Sequence, residues 1–434
     1  MTSRRLQDWL DYLEQLHPTA IDMGLDRCRE VATRLGLTRP ASHVVTVTGT
    51  NGKGSTCAFI AQMLAGQGKT VGLYSSPHLL RYNERVRING AEAADEALCE
   101  AFAAVEAARG ETSLTYFEMG TLAAFWLFER ARLDAVVLEV GLGGRLDAVN
   151  LVDADVAVVT NIGLDHADWL GDSRESVGFE KAGIFRSAMP AVCGDLEPPV
   201  TLIESAARLE APLLLRGRDF DLLVETDRWH WHGRDRSAQP LELRDLPLLD
   251  LPLENAALAL QAFALLDMPW QPGSLAAALL ATRVVGRLDR RVIQHRGREL
   301  SILLDVGHNP HAATYLAHAL QRHPLGGRRL AVFGLLADKD LHGVIGPLLP
   351  VVDDWAVAPL STPRARSGAQ LSEALMEHGA SVTIYSSVCE ALDAQCDRAV
   401  AGDEILLFGS FYCVAEALDW LDRHATERGQ GIGG

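Results

Sequence analysis

A lysine set between two glycines, in the run Gly49-Thr-Asn-Gly-Lys53-Gly-Ser55-Thr56, has the residue types that a phosphate cradle needs. Glycines let backbone N–H groups converge on an anion, a helix N-terminus adds partial positive charge, and the ammonium offsets charge on phosphate oxygen. The stretch before it, His43-Val-Val-Thr-Val-Thr48, is β-branched, and the apolar spacing after it (Phe59, Ile60, Met63, Leu64) is helical. The lysine therefore stands at a strand-to-helix turn. The usual G-x-x-x-x-G-K-[ST] pattern is not met, because position 47 is Val and position 54 is Gly. A plain flexible turn is the other reading, but it leaves a lysine flanked by glycines on both sides unexplained. The run narrows the search to proteins that bind or hydrolyse ATP or GTP.

Other strand ends carry donors. Ser75-Ser76-Pro77-His78 follows a short apolar run, and a hydroxyl there could ligate Mg²⁺; Ser-Pro also starts ordinary turns. If the sheet is doubly wound, this segment and the glycine turn lie at the ends of neighbouring strands. Glu139 ends the buried-looking run Asp134–Val140, just before Gly141-Leu-Gly-Gly-Arg145. A carboxylate at the end of an apolar strand is costly without a partner, and Mg²⁺ on ATP phosphates is a natural one. The spacing G-x-G-G is not the dinucleotide fingerprint G-x-G-x-x-G, and an acid precedes it, so that reading fails. His166 closes Val159–His166 and could ligate a metal through a neutral imidazole nitrogen, or simply be hydrogen-bonded. Lys181, in Glu180-Lys-Ala-Gly-Ile184, reads either as a functional lysine or as a surface lysine lying along its helix. In the second half, Leu304-Asp305-Val-Gly-His308-Asn309-Pro310, Phe333–Asp340 and Phe408-Gly-Ser410 again end apolar runs in polar residues. Arg287 lies near the expected boundary, where a guanidinium could reach phosphate.

The elements that must position these residues alternate. Strands are expected at Val44–Thr48, Val71–Tyr74, Ala135–Glu139 and Val156–Thr160, with helices at Thr56–Ala65, Asp95–Ala108 and Glu118–Ala131. That order predicts an α/β fold with a parallel sheet covered on both faces. Asp219–Leu243 reads as a small antiparallel hairpin. His230 and His232 there could be metal ligands, but more simply are exposed positions on an edge strand. A second α/β series follows from Asp289, with strands expected at Ile302–Asp305, Leu330–Phe333, Trp355–Ala358, Val382–Ile384 and Ile405–Phe408. We place the boundary at about Val285, giving domains 1–285 and 286–434. The Gly-rich tail Arg428–Gly434 is expected to be disordered, and the N-terminal residues to form an amphipathic helix with Leu6, Trp9, Leu10 and Leu13 on one face.

Composition closes off several classes. A formal charge of −17 over 434 residues argues against a nucleic-acid partner. The seven cysteines are scattered, with no C-x-x-C pair, as expected of reduced thiols in the cytoplasm. No apolar stretch is long enough to span a bilayer, so no membrane partner is expected.

Together, Thr-Gly-Thr-Asn-Gly-Lys-Gly-Ser, Tyr-Ser-Ser-Pro-His-Leu, Glu-Arg-Val-Arg-Ile-Asn-Gly (84–90), Glu-Val-Gly-Leu-Gly-Gly-Arg-Leu-Asp-Ala-Val-Asn (139–150), Glu-Lys-Ala-Gly-Ile-Phe and Asp-Val-Gly-His-Asn-Pro resemble, in this order, the bacterial folylpolyglutamate synthases of the bifunctional kind that also act as dihydrofolate synthases. The resemblance runs from Leu16-His-Pro to Gly409-Ser410-Phe411. It implies a Mur-ligase-like fold: an N-terminal P-loop ATPase domain and a smaller C-terminal Rossmann-like domain. It implies ATP-dependent amide formation, in which the pteroate or folate carboxylate becomes an acyl phosphate that the glutamate amine attacks. By resemblance, Gly49, Thr50, Asn51, Gly52, Lys53, Gly54, Ser55, Asn255, Arg287 and Asp305 contact ATP. Ser76, Glu139 and His166 hold Mg²⁺, two ions, with a monovalent cation as an option. Lys53, Lys181 and His166 are the catalytic set, and Lys181 matches the lysine that becomes carbamylated. Gly24, Thr115, Phe117, Asp147 and Ala148 match dihydropteroate contacts, Phe117 stacking on the pterin and Asp147 accepting its N–H groups. His308 and Ser410 match the glutamate site. The expected partners are dihydropteroate, reduced folates, L-glutamate and ATP, and the family is usually monomeric. One departure is Val284-Val285-Gly286-Arg287, where many relatives have Trp-Pro-Gly or Leu-Pro-Gly before the arginine; this leaves the arginine in place.

Two rivals remain open. A ligase acting on a UDP-muramyl precursor would share the fold and mechanism, but Asn51, Gly54 and the lack of a third N-terminal domain disfavour it. A non-catalytic ATP-binding module is disfavoured by Lys53, Glu139, His166 and Lys181 all being present.

Overall fold

The computed structural model describes residues 4–430, with side chains to residue 424. The chain divides into two units, Met1–Arg283 and Val284–Gly434, so the division falls two residues before the expected Val285.

In the first unit, eight strands form one sheet: β1 Ala41–Thr48, β2 Val71–Tyr74, β3 Val86–Ile88, β4 Ala91–Glu92, β5 Leu133–Glu139, β6 Val156–Val159, β7 Ala191–Cys193 and β8 Leu213–Leu215. Their spatial order is β4-β3-β2-β5-β1-β6-β7-β8. The parallel part is β2-β5-β1-β6-β7-β8, whereas β3 and β4 add an antiparallel edge that the alternation of apolar runs did not predict. Val44, Val45 and Val47 of β1, and Val136, Val137 and Leu138 of β5, are all buried. Consecutive buried apolar residues are what a strand covered on both faces requires, and each such side chain stabilises the fold by roughly 1.5–3 kcal/mol. One expectation is overturned. β2 is not next to β1, because β5 lies between them, so the segment at Ser76 and the glycine turn are not on neighbouring strands. The intervening strand is the one that ends in Glu139.

The helices match their expected spans closely: Lys53–Gly66, Asp95–Arg109, Tyr116–Ala131 and, at the N-terminus, Leu6–Leu13 with Leu6, Trp9 and Leu13 buried. The expected hairpin is instead a three-stranded antiparallel sheet, β9 Asp221–Val224, β10 Arg228–Arg234 and β11 Pro240–Pro247, with β10 in the middle. His230 and His232 are thus on a central strand, not an edge. His230 accepts the Asp245 N–H at 3.0 Å and pairs with Glu225, while His232 is exposed. Their neighbours Trp229 and Trp231 point inward and are buried.

The second unit is a six-stranded sheet: β12 Asp289–His295, β13 Arg298–Asp305, β14 Arg329–Phe333, β15 Asp354–Val357, β16 Val382–Ile384 and β17 Glu404–Phe408, in the order β12-β13-β17-β14-β15-β16. β13 to β16 and β17 run parallel, and β12 is an antiparallel edge strand that the sequence reading missed. β17 inserts between β13 and β14, which sets the ends Asp305 and Phe408 side by side. The helix Phe411–Gln430 runs through residues 428–430, where disorder was expected; residues 431–434 lie outside the described residues.

Candidate active site

β1 ends at Thr48 and the helix Lys53–Gly66 starts within five residues. The loop between them is possible only with its glycines. Gly49 has φ 149° and a Cβ there would overlap Oγ1 of Thr160; Gly52 has φ 85° and its Cβ would stand 2.6 Å from Oδ1 of Asn255. The end of β6 pins the loop. The Thr160 hydroxyl donates to the Asn51 carbonyl at 2.6 Å, and the Asn161 side-chain amide exchanges two 3.0 Å bonds with the Asn51 backbone. The Asn255 amide donates to Ser55 Oγ at 2.7 Å. The first helical bond runs from the Thr56 N–H to the Gly52 carbonyl, so the N–H groups of Lys53, Gly54 and Ser55 precede any intrahelical acceptor. The Lys53 ammonium folds over the same turn, donating to the carbonyls of Gly49 (2.9 Å) and Thr50 (3.3 Å). N–H groups without intrahelical acceptors, a helix N-terminus and an ammonium in one place make an anion site. Thr160 and Asn161 were not singled out from sequence as loop supports, although Thr-Asn-Ile-Gly at a strand end was their signal.

Gly49→Ala is accordingly expected to raise KM for ATP at least tenfold and to destabilise the first unit by about 2 kcal/mol or more, since overlap and a left-handed φ both oppose a side chain. ATP titration and thermal unfolding check this; wild-type values in both would show that the loop is not so constrained.

Glu139 is 5% exposed and its carboxylate accepts the Ser76 N–H at 3.1 Å. A Cβ on Gly54 would lie 3.8 Å from both of its oxygens, so the carboxylate faces the first turn of the lysine's helix. An all-oxygen set of carboxylate and hydroxyl beside a phosphate site suits a hard divalent cation such as Mg²⁺. Among the described residues no group of three or more His, Cys, Asp and Glu is arranged to hold a metal. His166 has φ 53° at the start of a one-turn helix, its side chain is 52% exposed, and it lies 3.9 Å from Asp165.

Lys181 is not the surface lysine that its helical context allowed: it is 3% exposed. Burial, reinforced by the nearby positive charge of Lys53, pulls its ammonium down to about 7, while Asp165 opposes the shift. Lys53, Lys181 and Asp165 therefore share one electrostatic neighbourhood.

Of the residues matched to dihydropteroate, Phe117 and Asp147 meet the same loop. The Phe117 ring lies against Gly141, where a Cβ would come within 2.7 Å of it, and stands 6.0 Å from the Tyr74 ring. Asp147 is buried; its oxygens accept the N–H groups of Leu142 (2.8 Å) and Val149 (2.9 Å), shaping the turn 141–149. Burial pushes its carboxyl up to about 6, against those hydrogen bonds and the Lys53 charge. Thr115 is occupied as the N-cap of the helix Tyr116–Ala131, accepting the Glu118 N–H at 3.2 Å. Ala148 is buried beside Asp147, and Gly24 borders open space, with nothing within 4 Å of where a Cβ would stand.

In the second unit, the buried Asp305 accepts the N–H groups of Leu288 (3.0 Å) and Gly307 (2.8 Å). Burial raises its carboxyl above the ordinary range, and Arg287 opposes that rise. The Arg287 guanidinium lies 5.3 Å from the Phe411 ring centroid, and His308 faces the same ring at 6.1 Å. Ser410 is buried and caps the next helix, accepting the Cys413 N–H at 3.0 Å. Arg287, Asp305, His308 and Ser410 are thus gathered at the adjacent ends of β13 and β17.

Comparison with known proteins agrees over both units. Residues 47–193 match the Mur ligase middle domain, and residues 286–411 match the Mur ligase glutamate ligase domain. The chain is similar to the dihydrofolate synthase/folylpolyglutamate synthase of Escherichia coli K12, with 46% identity over 420 residues covering 96% of each chain. Its fold is similar to that of E. coli FolC solved in complex with DHPP and ADP, with a TM-score of 0.90 and 46% identity over 98% of this chain and 99% of that one. It is also similar, with a TM-score of 0.87 and 44% identity over 97% and 98% of the two chains, to a bifunctional folylpolyglutamate synthase/dihydrofolate synthase solved with Mn, AMPPNP and L-glutamate bound.

Proposed function

The chain belongs to the dihydrofolate synthase/folylpolyglutamate synthase family of Mur ligases, and on that premise we propose that it is an ATP-dependent ligase adding L-glutamate to dihydropteroate and to reduced folylpolyglutamates. The observation that carries this reading is the neighbourhood of Lys53. Its charge acts on both Lys181 and Asp147, and the Thr48 hydroxyl, one residue before the glycine run, donates to the Gly143 carbonyl at 2.6 Å, so the phosphate cradle adjoins the loop matched to the pterin.

A carboxylate is a poor acyl donor until one of its oxygens belongs to a phosphate leaving group. A carboxylate oxygen of the folate substrate attacks the γ-phosphorus of ATP, and ADP leaves with the bridging oxygen. The glutamate amine then attacks the acyl carbon, loses a proton, and inorganic phosphate departs. Lys53 and the N–H groups of Gly52–Ser55 offset the charge that develops on the transferring phosphoryl group. Glu139 and Ser76, together with His166, would hold Mg²⁺ as the working ion, two per site, with a monovalent cation as an adjunct; the ion's chemistry is charge neutralisation on phosphate. Asn255, Arg287 and Asp305 complete the nucleotide contacts, and His308 and Ser410 receive glutamate. Domain roles follow: residues 1–285 bind ATP and pterin, and residues 286–434 serve the glutamate step. A carbamate on Lys181 would turn a buried cation into an orienting anion, and an amine with its pKa near 7 is neutral often enough to react with CO₂. We take the enzyme to act as a cytoplasmic monomer; among the described residues no helix is long and apolar enough to cross a membrane.

The test is phosphate release with Mg-ATP and L-glutamate, offering dihydropteroate and a reduced folate separately, with chelator controls. Release with both substrates, abolished by chelator, supports the reading. Release with neither, in a folded protein that still binds ATP, returns the muramyl ligase or binding module.

Asp147→Ala is expected to lower kcat/KM for dihydropteroate about 10- to 100-fold, the effect of one charge-assisted hydrogen bond, and to affect reduced folate less. Because its carboxyl titrates at about 6, wild-type use of dihydropteroate should also fall as pH drops below 6, where the acceptor is protonated. Equal losses on both substrates would count against a separate pterin contact.

A further inference from the structure

The run Glu84-Arg-Val-Arg-Ile-Asn-Gly90 carries part of the family resemblance, yet no residue of it has a role so far. Arg85 has an unusual setting there. Several other arginines of the first unit face carboxylates: Arg81 meets Asp95, Arg87 meets Glu92, Arg27 meets Glu118 and Arg109 meets Glu106. Arg85 instead donates its Nε–H to Nδ1 of His78 at 2.8 Å. Its guanidinium carbon lies 5.4 Å from the Tyr82 ring centroid and 5.5 Å from that of Tyr116. An Nδ1 that accepts an N–H carries a lone pair, so the imidazole is neutral, as are both phenol rings. These partners fix the direction of the guanidinium without neutralising it. Among the described residues no carboxylate pairs with it. Its terminal NH₂ groups keep their donors and their full charge.

The position is specific. The Arg85 carbonyl accepts the Ser75 N–H at 3.0 Å, next to Ser76, whose own N–H meets Glu139. Tyr116 stands between Thr115 and Phe117, the residues matched to pterin contacts. Arg85 therefore bridges the end of β2 and the first turn of the helix Tyr116–Ala131. The glycine loop, at the end of β1, lies beyond β5 and has Lys53 for its phosphates. A planar guanidinium with two forward NH₂ groups matches a carboxylate in a two-pronged geometry.

We propose that Arg85 binds a carboxylate of the pteroyl or folyl substrate, with His78, Tyr82 and Tyr116 holding the guanidinium in place. The inference rests on the ligase reading above. Two carboxylates have the required chemistry: the acyl carboxylate that is phosphorylated, present in both substrates, and the non-reacting α-carboxylate, present only in folylglutamates.

The test is steady-state kinetics of Arg85→Ala, Arg85→Lys, His78→Asp and His78→Asn, varying dihydropteroate, a reduced folate and ATP in turn. Arg85→Ala should raise KM for the carboxylate substrate about 10- to 100-fold and leave KM for ATP within about twofold. Arg85→Lys, which keeps the charge but loses the fork, should fall between. His78→Asp, which sets a carboxylate against the guanidinium, should reproduce the loss with thermal unfolding unchanged, and it decides the matter if Arg85→Ala fails to fold. His78→Asn, whose Oδ1 can accept the same N–H, should restore near wild-type KM. Losses on both substrates assign the acyl carboxylate; a loss on reduced folate alone assigns the α-carboxylate. Unchanged KM for both in folded Arg85→Ala, or a rise confined to ATP, overturns the proposal. A wild-type protein that makes no product from either substrate would instead refute the ligase reading.

Discussion

Lys53→Ala is expected to lower kcat about 1,000-fold with either folate substrate while leaving the melting temperature within a few degrees of wild type. Lys53 supplies the side-chain cation of the glycine loop, and it donates to the loop's own carbonyls at Gly49 and Thr50. Those bonds are replaceable by water, so the fold does not depend on them. On the proposed reading the transferring phosphoryl group does depend on the ammonium, because removing a single preorganised donor at such a centre costs about 100- to 1,000-fold, and here a full charge goes with it. KM for ATP should rise less than kcat falls, since charge on the phosphoryl oxygens shifts during transfer. Steady-state kinetics and a thermal melt on the same sample make the comparison. A variant with wild-type kcat would mean that phosphate lies elsewhere.

Lys181→Met is expected to be both less active and more stable. Lys181 is buried and its ammonium titrates at about 7, against an ordinary value of 10.5. A lowered lysine pKa means that the folded state resists the proton which the unfolded chain accepts up to pH 10.5. The Lys181 contribution to stability should therefore rise with pH between about 7 and 10.5 and be flat below 7. At pH 7 the penalty is on the order of a few kcal/mol, and a methionine of similar shape removes it. In CO₂-depleted buffer at pH 7, Lys181→Met should melt several degrees above wild type, with the gap narrowing towards pH 9. Its ligase activity should fall at least 100-fold. A variant that melts below wild type at pH 7 would show that the lysine is structurally satisfied and not a strained functional group.

Much of this site was legible in the chain because the chemistry is local. Glycines on both sides of Lys53 after a β-branched run can be read without a fold, and so can a carboxylate ending the apolar run to Glu139. What could not be read is tertiary. Strand order is set by how the helices cover the sheet, so nothing in the sequence told that β5 lies between β2 and β1 and brings Glu139 between Ser76 and the loop. β12 escaped because Asp-Arg-Arg-Val-Ile-Gln-His, with Val292 exposed, lacks the continuous apolar character of its buried neighbours. The burial of Lys181 was hidden because its helix carries only a mixed pattern, and the loop 141–149 that covers it is defined by glycines at positions such as 144, where a Cβ would press on the Glu180 and Lys181 carbonyls.

The central claim is that the phosphate cradle serves to activate a carboxylate. The most direct measurement uses dihydropteroate labelled with ¹⁸O in its carboxylate, incubated with Mg-ATP, L-glutamate and enzyme, followed by mass analysis of the phosphate released. An acyl-phosphate route predicts one ¹⁸O in each phosphate formed, because the oxygen that attacked phosphorus leaves with it. Phosphate without ¹⁸O, formed together with the amide, would mean that ATP is cleaved without phosphorylating the substrate and would contradict the account.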